Sequence, residues 1–346
     1  MTLRGHTEYV WSIDYSTFDD KHLLCSGSDD KTVRIWDIET SKQIQANEHL
    51  SEVHCVKFSP YHYYNHHRNV VCSSSRDRTI RFWDIKDNMK SQIFNRHGHS
   101  VCGIEFSSFN GGRYLCAASF DSTVRFLDIE TSELLHVFRG HGSIVRCVEF
   151  SPLQTNNNNN GNKSNDIGII GGNGYTICSG SWDNTIRIWD IETAKQLIVL
   201  KGHQYTVNTA KYGTNELGMI GGTNMILSGS GDKSIRLWDI RSSQQTQIFN
   251  GHTTYVYAAE YSPFVVKNIE VGGNSNVICS GSEDNTIRFW DIRSNNKELY
   301  VINGDKEGDG ILCLKFLQLK KNKKNNNNCD VNLCYSSRLG PIRIWG

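Results

Sequence analysis

The chain has 346 residues, of which 38% are hydrophobic and 21% charged, a composition typical of a globular protein with a large core. Its 37 basic and 36 acidic residues give a formal net charge of +1, which argues against nucleic acid or an anionic membrane as the default partner. No apolar stretch approaches the roughly 20 residues that span a bilayer, and the N-terminus has no apolar signal region. We therefore expect an intracellular protein of the cytoplasm or nucleus, without membrane insertion.

One segment of twelve residues recurs along the whole chain. Its first copy reads SGSDDKTVRIWD, and its last copy is degraded to YSSRLGPIRIWG. The copies end at Asp37, Asp84, Asp128, Asp190, Asp239, Asp291 and Gly346. Successive Trp positions lie 44 to 62 residues apart, the length of a propeller blade of four short strands with loop insertions. Length alone would suggest two domains, but the repeat predicts one domain, residues 1–346.

Each copy predicts four strands in the same order. The first is an alternating apolar run such as VWSIDYS from Val10 or VRCVEFS from Val145, the second contains Ser-Gly-Ser, and the third ends in Trp-Asp. An Asp between the second and third strands predicts a tight turn, because its side chain can bond the backbone two residues on. A fourth short strand, such as LLHVF from Leu134, precedes the next copy. We expect no sizeable helix.

Long insertions separate the first and second strands of several copies. They comprise residues 61–69, 153–175, 213–225, 264–276 and 317–331. The chain contains 32 Asn residues, with runs at Asn156 to Asn160 and Asn325 to Asn328. Polar low-complexity sequence of this kind does not contribute to a packed core. We therefore expect the insertions, and above all the Asn-rich segments 153–175 and 317–331, to be loops.

The recurring segments resemble the WD-repeat (WD-40) family, whose blades begin with Gly-His and end with Trp-Asp. The resemblance covers essentially the whole chain and implies an all-β, seven-bladed propeller. It also implies a hydrogen-bonded network in each blade among a loop His, a turn Asp, a strand Ser or Thr, and the Trp. The matching structural residues are His6, Asp30, Trp36, His49, Asp77, Trp83, His97, Asp121, His141, Asp183, Trp189, His203, Asp232, Trp238, His252, Asp284 and Trp290.

Two copies depart from this pattern. Leu127 stands at the Trp position of the third copy, so His97 and Asp121 lose the indole donor. The seventh copy has Leu339 at the turn Asp and Gly304-Asp305 in place of Gly-His, so it should lack the network. A net hydrogen bond contributes about 1 kcal/mol. We therefore expect the third and seventh blades to be the least stabilised by hydrogen bonds of their own.

The two ends of the chain predict how the ring closes. The C-terminus stops at the third strand of the seventh blade, and Met1 to Leu3 stand where other copies have a fourth strand. The N-terminus should therefore supply the outer strand of the last blade, which removes an open edge. Only three residues precede Arg4, so we expect either a weak closure or a chain that is part of a longer protein.

The cysteines and histidines do not predict a metal or redox site. Six of the eleven cysteines stand eleven residues before the Trp position, where another copy has Leu227, which indicates buried, reduced thiols in an apolar position. The run from Tyr61 to His67 has no carboxylate at ligand spacing, and the run from Lys320 to Lys324 is typical of a solvated loop. No nucleophile motif, catalytic carboxylate pair or phosphate-binding loop is present. We expect no catalytic residue, cofactor or metal, and no enzyme activity.

The resemblance also implies where a partner binds. The loops before the first strands and the turns between second and third strands meet on one face, the top, around a central channel. These connections are short, and a rigid surface loses less entropy on binding. The family's contact positions, which flank the strand-opening Val or precede the turn Asp, correspond to Tyr9, Trp11, Asp29, Glu52, His54, Arg76, Phe120, Arg146, Trp182, Tyr255, Tyr257 and Glu283.

The two tryptophans outside the Trp-Asp positions, Trp11 and Trp182, both fall among these residues. Aromatic and Arg side chains in a rigid rim are typical of binding hot spots. Acidic residues beside aromatics favour a peptide that carries Arg or Lys. The alternative is that both tryptophans only pack against neighbouring loops.

Two functions remain open. The first is a scaffold or adaptor that binds proteins or peptides on the top face, as a single propeller within larger complexes. The second is a substrate receptor of a cullin-type ubiquitin ligase with ligase subunits as partners, because Trp238 to Arg241 and Trp290 to Arg293 both read WDIR and resemble the WDxR pattern of such receptors. That four-residue pattern is weakly specific. A membrane-coat role also stays open, whereas a G-protein β role is disfavoured because no helical segment precedes Thr2.

Overall fold

A computed structural model describes residues 1–16, 21–87, 90–152, 175–213, 224–268, 273–293, 298–304, 310–318 and 331–345. Most of the insertions predicted at 153–175, 213–225 and 317–331 lie outside the described residues. The same holds for both long Asn runs, the basic run from Lys320 to Lys324, and Gly346. Within the described residues, no helix is both long enough and apolar enough to cross a membrane.

The described residues contain 28 strands, arranged as seven antiparallel sheets of four strands each. A two-residue strand, β1 (Thr2–Leu3), precedes the first complete sheet. Blades 1 to 3 consist of β2 (Val10–Ser16), β3 (Leu23–Ser28), β4 (Thr32–Asp37), β5 (Lys42–Glu48), β6 (Val53–Phe58), β7 (Val70–Ser75), β8 (Ile80–Asp84), β9 (Lys90–Phe94), β10 (Val101–Phe106), β11 (Tyr114–Ser119), β12 (Thr123–Asp128) and β13 (Leu134–Arg139).

Blades 4 to 7 repeat this arrangement. They consist of β14 (Val145–Phe150), β15 (Thr176–Ser181), β16 (Thr185–Asp190), β17 (Gln196–Lys201), β18 (Val207–Tyr212), β19 (Met225–Ser230), β20 (Ser234–Asp239), β21 (Gln244–Asn250), β22 (Val256–Asn268), β23 (Gly273–Ser282), β24 (Thr286–Asp291), β25 (Glu298–Asn303), β26 (Ile311–Gln318), β27 (Val331–Ser337) and β28 (Ile342–Trp345). The first strands of successive blades contact one another around the ring, and β26 contacts β2. The predicted seven-bladed propeller is confirmed.

The burial of each strand follows its position in the blade. Second strands such as β3 are buried along their whole length because they lie between two strands and two neighbouring blades. The fourth strand β5 is exposed at five of its seven residues because it forms the outer edge. Apolar side chains of adjacent blades pack between the sheets, as Val33 of blade 1 does with Val53 and Val56 of blade 2. Burial between blades is the main favourable term in such a fold.

Closure of the ring occurs as predicted. Thr2 and Leu3 pair with Arg343 and Ile342, so β1 becomes the fourth strand of the last blade. The N-terminal amine donates to the carbonyl of Ile344 at 2.8 Å, and the amide of Ile344 donates to the carbonyl of Met1 at 2.9 Å. The Leu3 side chain is only 1% exposed and packs in a cluster that includes Trp36 of blade 1.

Two insertions that were expected to be loops contain regular structure. Residues 60 to 66 form a helix, α1 (Pro60–His66), with Pro at its first turn, a position where its missing N–H costs nothing. Tyr61 is buried against the core, and the ring of His62 lies 5.3 Å from that of Phe82. The histidine run therefore has a fixed scaffold, contrary to our expectation. The insertion at 264–276 is also not a loop throughout, because β22 and β23 extend into it as a hairpin.

The predicted blade network is present in five blades. In blade 1, the Trp36 indole donates to Ser26 Oγ at 2.9 Å, Ser26 Oγ lies 2.7 Å from His6 Nε2, and His6 Nδ1 lies 2.8 Å from Asp30 Oδ2. Burial opposes ionisation of Asp30, but hydrogen bonds from His6 and Thr32 outweigh it and lower the pKa of its carboxyl well below the usual range. Equivalent contacts join the His, Ser, Asp and Trp of blades 2, 4, 5 and 6.

The seventh blade lacks this network and the third blade lacks the indole donor, as predicted, whereas His97 Nδ1 of blade 3 still lies 3.0 Å from Asp121 Oδ2. In blade 3, Leu127 replaces the Trp and Ala117 replaces the Ser, so the buried Nε2 atom of His97 has no hydrogen-bond partner among the described residues. The loss of the Ser was not anticipated. In blade 7, Tyr335 occupies the Ser position, and Trp345 is 51% exposed whereas Trp36 is 2% exposed.

The ten described cysteines are all free. The six that share the repeat position before the Trp are each completely buried, which confirms that this is an apolar core position. Burial raises the pKa of the Cys25 and Cys72 thiols well above the ordinary value. These side chains therefore behave as small apolar groups.

Candidate functional site: the mouth of the central channel

A β-bulge in the first strand of every blade sets the geometry of the channel mouth. In each blade the pairing of first and second strands shifts by one residue directly after the strand-opening residue, as between Val10 and Ser12. The extra residue is left out of the hydrogen-bonded ladder and its side chain is redirected. In the seven blades this residue is Trp11, His54, Cys102, Arg146, Asn208, Tyr257 and Leu312.

These bulge residues line one cavity of about 160 Å³ in the channel. A second recurring contact brings the other predicted residues to the same rim. In six blades the amide that precedes the turn Asp donates to the carbonyl before the strand-opening Val, as from Asp29 to Tyr9 at 2.9 Å and from Glu283 to Tyr255 at 2.9 Å. The structure therefore places all twelve predicted contact residues around the channel mouth.

The carboxylates of the top face already have partners within the chain. Glu52 forms an ion pair with Arg76 at 2.7 Å, and Glu283 forms one with Arg338 of the next blade. Asp29 accepts a hydrogen bond of 2.7 Å from the Trp11 indole. The peptide carrying Arg or Lys that the sequence suggested would therefore have to share these three carboxylates with their partners in the chain.

The aromatic side chains beside these acids also have cationic neighbours in the chain. The Arg146 guanidinium lies 4.8 Å from the centre of the Trp11 ring, although the two residues belong to blades 4 and 1. Arg338 lies 5.4 Å from the centre of the Tyr9 ring. Trp11 also contacts Tyr9 and Tyr257 edge-on, each with a centroid distance of 5.9 Å. Trp11 is thus enclosed by the chain's own residues, in keeping with the packing alternative.

Trp182 has a different environment, since its side chain is 45% exposed. It contacts Phe120, which is stacked between His54 and His99 at centroid distances of 6.1 and 5.5 Å. An aromatic row therefore runs from the channel to the rim in blades 2 to 4.

A second exposed aromatic pair lies across blades 5 and 6. Tyr205 is 48% exposed and stacks on Tyr255 at 5.5 Å, and Tyr255 contacts the channel residue Tyr257. Tyr205 was missed by the sequence analysis because it stands two residues before the strand-opening Val207, outside the family's contact positions. An aromatic residue in a short loop after Gly-His is the signal that would have indicated it.

His54 is partly buried in the channel wall, and its two ring nitrogens are buried without a hydrogen-bond partner among the described residues. Burial, together with the nearby charges of Arg146 and Arg76, lowers its pKa to about 3. At neutral pH the imidazole is therefore uncharged, with one N–H donor and one acceptor nitrogen.

Deeper in the channel, each blade contributes one charged residue at the fifth position of its first strand: Asp14, Lys57, Glu105, Glu149, Lys211, Glu260 and Lys315. Lys57 pairs with Glu105 at 2.5 Å, Lys315 with Asp14 at 2.8 Å, and Lys211 with Glu260. Glu149 is the seventh member, and burial with incomplete compensation by Lys211 raises its pKa to about 7.

The described residues contain no group of three or more His, Cys, Asp or Glu side chains arranged to hold a metal ion. The two WDIR segments lie at turns between third and fourth strands, on the face opposite the top. Arg241 and Arg293 are exposed there, and their backbone amides donate to Asp239 and Asp291 at 3.0 and 2.9 Å. The side-chain amide oxygen of Asn224, when oriented toward its donors, accepts from the Arg241 guanidinium at 3.0 Å.

Three curated relatives illustrate how local the similarity to known proteins is. They are coatomer subunit beta'-1 of Arabidopsis thaliana (42% identical over 60 residues), eukaryotic translation initiation factor 3 subunit I of Scheffersomyces stipitis (41% over 59) and a ribosome biogenesis protein BOP1 homolog of Drosophila melanogaster (45% over 60). Each match covers 17% of this chain and 6%, 16% and 7% of the respective relative. The similarity therefore extends over little more than one repeat.

A family model for the WD domain, G-beta repeat, matches residues 1–37, 41–84, 132–190, 194–239 and 243–291. The unmatched stretches 85–131 and 292–346 contain the first three strands of blades 3 and 7, which are the two blades without a complete hydrogen-bonded network. With these five segments covering more than half of its length, the chain belongs to the WD40 family of WD domain, G-beta repeat proteins.

Proposed function

We propose that this protein is a non-catalytic scaffold or adaptor that binds a peptide segment of a protein partner across the top face. The observation that carries this proposal is the exposure of Trp182, Tyr205 and Tyr255 beside the channel mouth. Aromatic side chains of this kind supply most of the binding energy in many interfaces. The backbone bonds that tie each top turn to the neighbouring loop hold these side chains in place, so little entropy is lost on binding.

The relatives are consistent with this role. The coatomer and initiation-factor proteins are named as subunits. By analogy, we propose that this chain acts as one propeller within a larger complex, in the cytoplasm or nucleus.

The test is affinity purification with mass spectrometry on wild type and a Trp182→Ala, Tyr205→Ala double variant. We expect the double variant to lose specific partners while keeping the melting temperature of the wild type, because both side chains are exposed. Tyr300→Ala is a matched control, since Tyr300 is 57% exposed on the outer strand β25 and away from the channel. Retention of every partner by the double variant, or equal losses with Tyr300→Ala, would contradict the proposal.

A second candidate function is a substrate receptor of a cullin-type ubiquitin ligase. It is favoured by the exposure of Arg241 and Arg293 in consecutive blades on the opposite face. Co-purification of ligase adaptor subunits, lost in an Arg241→Ala, Arg293→Ala double variant, would support it. Absence of such subunits from wild-type purifications would exclude it.

A further inference from the structure

Arg146 in the channel wall differs in its partners from Arg76 and Arg338, two arginines of the rim. Arg76 and Arg338 are neutralised by Glu52 and Glu283. Arg146 forms no ion pair within the described residues, and its guanidinium lies over Trp11 and bonds the Cys102 thiol. Asp29 lies next to this stack and accepts a hydrogen bond from the Trp11 indole. Among the described residues, Arg146 is therefore a guanidinium of the channel mouth that no ion pair neutralises.

The same cavity contains a second unused donor. His54 and Arg146 both line it, and the buried nitrogens of His54 have no partner within the described residues. A buried N–H without an acceptor costs more than a hydrogen bond contributes, so a ligand oxygen that reached it would remove that cost. The aromatic rings of Trp11 and Tyr257 contact each other and line the same cavity.

We infer that the channel mouth is an anchor for the carboxylate of an Asp or Glu side chain of the bound peptide, received by Arg146 and His54. This inference rests on the proposed top-face function and specifies its ligand. A guanidinium forms short, charge-assisted hydrogen bonds with carboxylates, and a neutral imidazole adds one N–H. A phosphate dianion would need a second unpaired cation, whereas Lys57, Arg76 and Arg338 are all paired.

The remaining top-face features fit an acidic peptide. The exposed aromatic groups, Trp182 with Phe120 and Tyr205 with Tyr255, belong to blades 3 and 4 and to blades 5 and 6 of the rim. A peptide that crosses the face can therefore place its acidic residue in the channel and apolar residues against these two groups. The paired acids Glu52 and Glu283 do not repel it strongly because each is next to a guanidinium.

Peptide display on the intact protein tests this inference. The probes are short peptide libraries that differ only in a fixed central residue, which is Glu, Gln, Lys or phosphoserine. We expect wild type to enrich the Glu library about tenfold over the Gln library, the effect of one charge-assisted hydrogen bond. Arg146→Met keeps an apolar stem against Trp11 and should remove the preference, whereas Arg146→Lys should retain part of it. His54→Phe keeps the stacking on Phe120 and should weaken the preference.

Arg241→Met is the matched control, because it makes the same change on the opposite face and should leave the preference intact.

Equal enrichment of Glu and Gln, a preference for Lys, or persistence of the Glu preference in Arg146→Met would overturn the carboxylate anchor and leave the proposed function standing. Stronger enrichment of phosphoserine would replace the carboxylate by a phosphate. Failure of wild type to enrich any library, or enrichment unaffected by the Trp182→Ala, Tyr205→Ala double variant, would contradict the proposed function itself. Melting temperatures of all variants show whether they are folded.

Discussion

The carboxylate of Glu149 accepts a hydrogen bond of 2.5 Å from the backbone amide of Tyr212 in the next blade, yet no lysine of the channel ring pairs with it. Lys211, the nearest cation of the ring, forms its ion pair with Glu260. The ring of seven charged residues therefore has four acids and three bases, and the excess negative charge lies on Glu149. This arrangement makes the stability of the protein depend on pH.

We predict that Glu149→Gln stabilises the protein above neutral pH. The folded-state pKa of about 7 lies above the ordinary value of 4.5, so the folded state holds the proton more tightly than the unfolded chain. The free energy of unfolding therefore falls as pH rises from 4.5 to 7. Above pH 7 the buried carboxyl is ionised, and its full destabilising effect is present. Because Gln carries no charge, Glu149→Gln should increase the free energy of unfolding at pH 8 by on the order of 2 kcal/mol, measured by urea denaturation.

Glu105→Gln is the control for this change. It removes the partner of the partly buried Lys57 and should destabilise the protein at the same pH. A Glu149→Gln protein that is no more stable than wild type at pH 8 would contradict a raised pKa of Glu149 in the folded state.

We predict that Ala117→Ser stabilises blade 3 by about 1 kcal/mol. Ala117 pairs with Arg125 in the same register as Ser26 pairs with Arg34 in blade 1. A hydroxyl at position 117 can therefore donate to the unpartnered Nε2 atom of His97. The midpoint of urea denaturation should increase, and no increase would show that the His97 ring is not satisfied in this way.

Removing the Ser hydroxyl from a blade with the complete network should destabilise the protein. Ser73→Ala removes the partner of both His49 Nε2 and the Trp83 indole, which lie 2.7 Å from Ser73 Oγ. Two buried polar groups are left unsatisfied, so we expect a loss of about 2 to 4 kcal/mol in the free energy of unfolding.

We predict that the blade networks make the protein sensitive to acid. Burial is the main cause that lowers the pKa of His6, His97 and His203 below the ordinary 6.5, so the unfolded chain binds more protons than the folded state. The melting temperature should therefore fall as pH decreases from 6.5. The turn Asp carboxyls, whose pKa values are depressed, add a further loss below their ordinary value of 3.8.

Glu149 acts in the opposite direction between pH 4.5 and 7, because its protonation stabilises the folded state. The measurement is therefore made by scanning calorimetry in the Glu149→Gln background. A melting temperature that stays constant or rises from pH 6.5 to pH 5 would be inconsistent with neutral, buried histidines.

We predict that Leu3→Ala lowers the melting temperature, because it removes a buried side chain from the junction of blades 7 and 1. The expected loss in the free energy of unfolding is about 2 to 4 kcal/mol. Thr2→Ala is the control in the same strand, since Thr2 is exposed. Deletion of Met1 to Leu3 should have a larger effect than Leu3→Ala, and an unchanged melting temperature in the deletion would argue against this closure.

The blades were predictable from the sequence because each copy repeats the same local pattern, and even the closure of the last blade by the N-terminal strand followed from counting strands. The defect of blade 3 was predictable only in part, since Leu127 was compared with the Trp positions and Ala117 was not compared with the Ser positions. The helix α1 could have been indicated by Pro60 after Ser59, a combination that often begins a helix.

The side-chain partners at the channel mouth could not be predicted from the repeat. Arg338 and Glu283 belong to different blades, and Arg146 contacts Trp11 only because the ring brings blades 4 and 1 to a common channel. These contacts depend on the closed geometry and not on any local pattern. They are also the contacts on which the proposed acidic ligand rests, whereas the sequence alone suggested a basic peptide.

The bulge that recurs in all seven blades separates the recognition properties of this protein from its folding. Because the residue after each strand-opening position stands outside the hydrogen-bonded ladder, it is not bound by the alternation of buried and exposed positions along the strand. The seven sites hold seven different amino acids, from Trp11 to Leu312, on the same backbone conformation. The residues of the channel mouth can therefore be substituted one at a time, in evolution or in engineering, without changes to the sheets that support them.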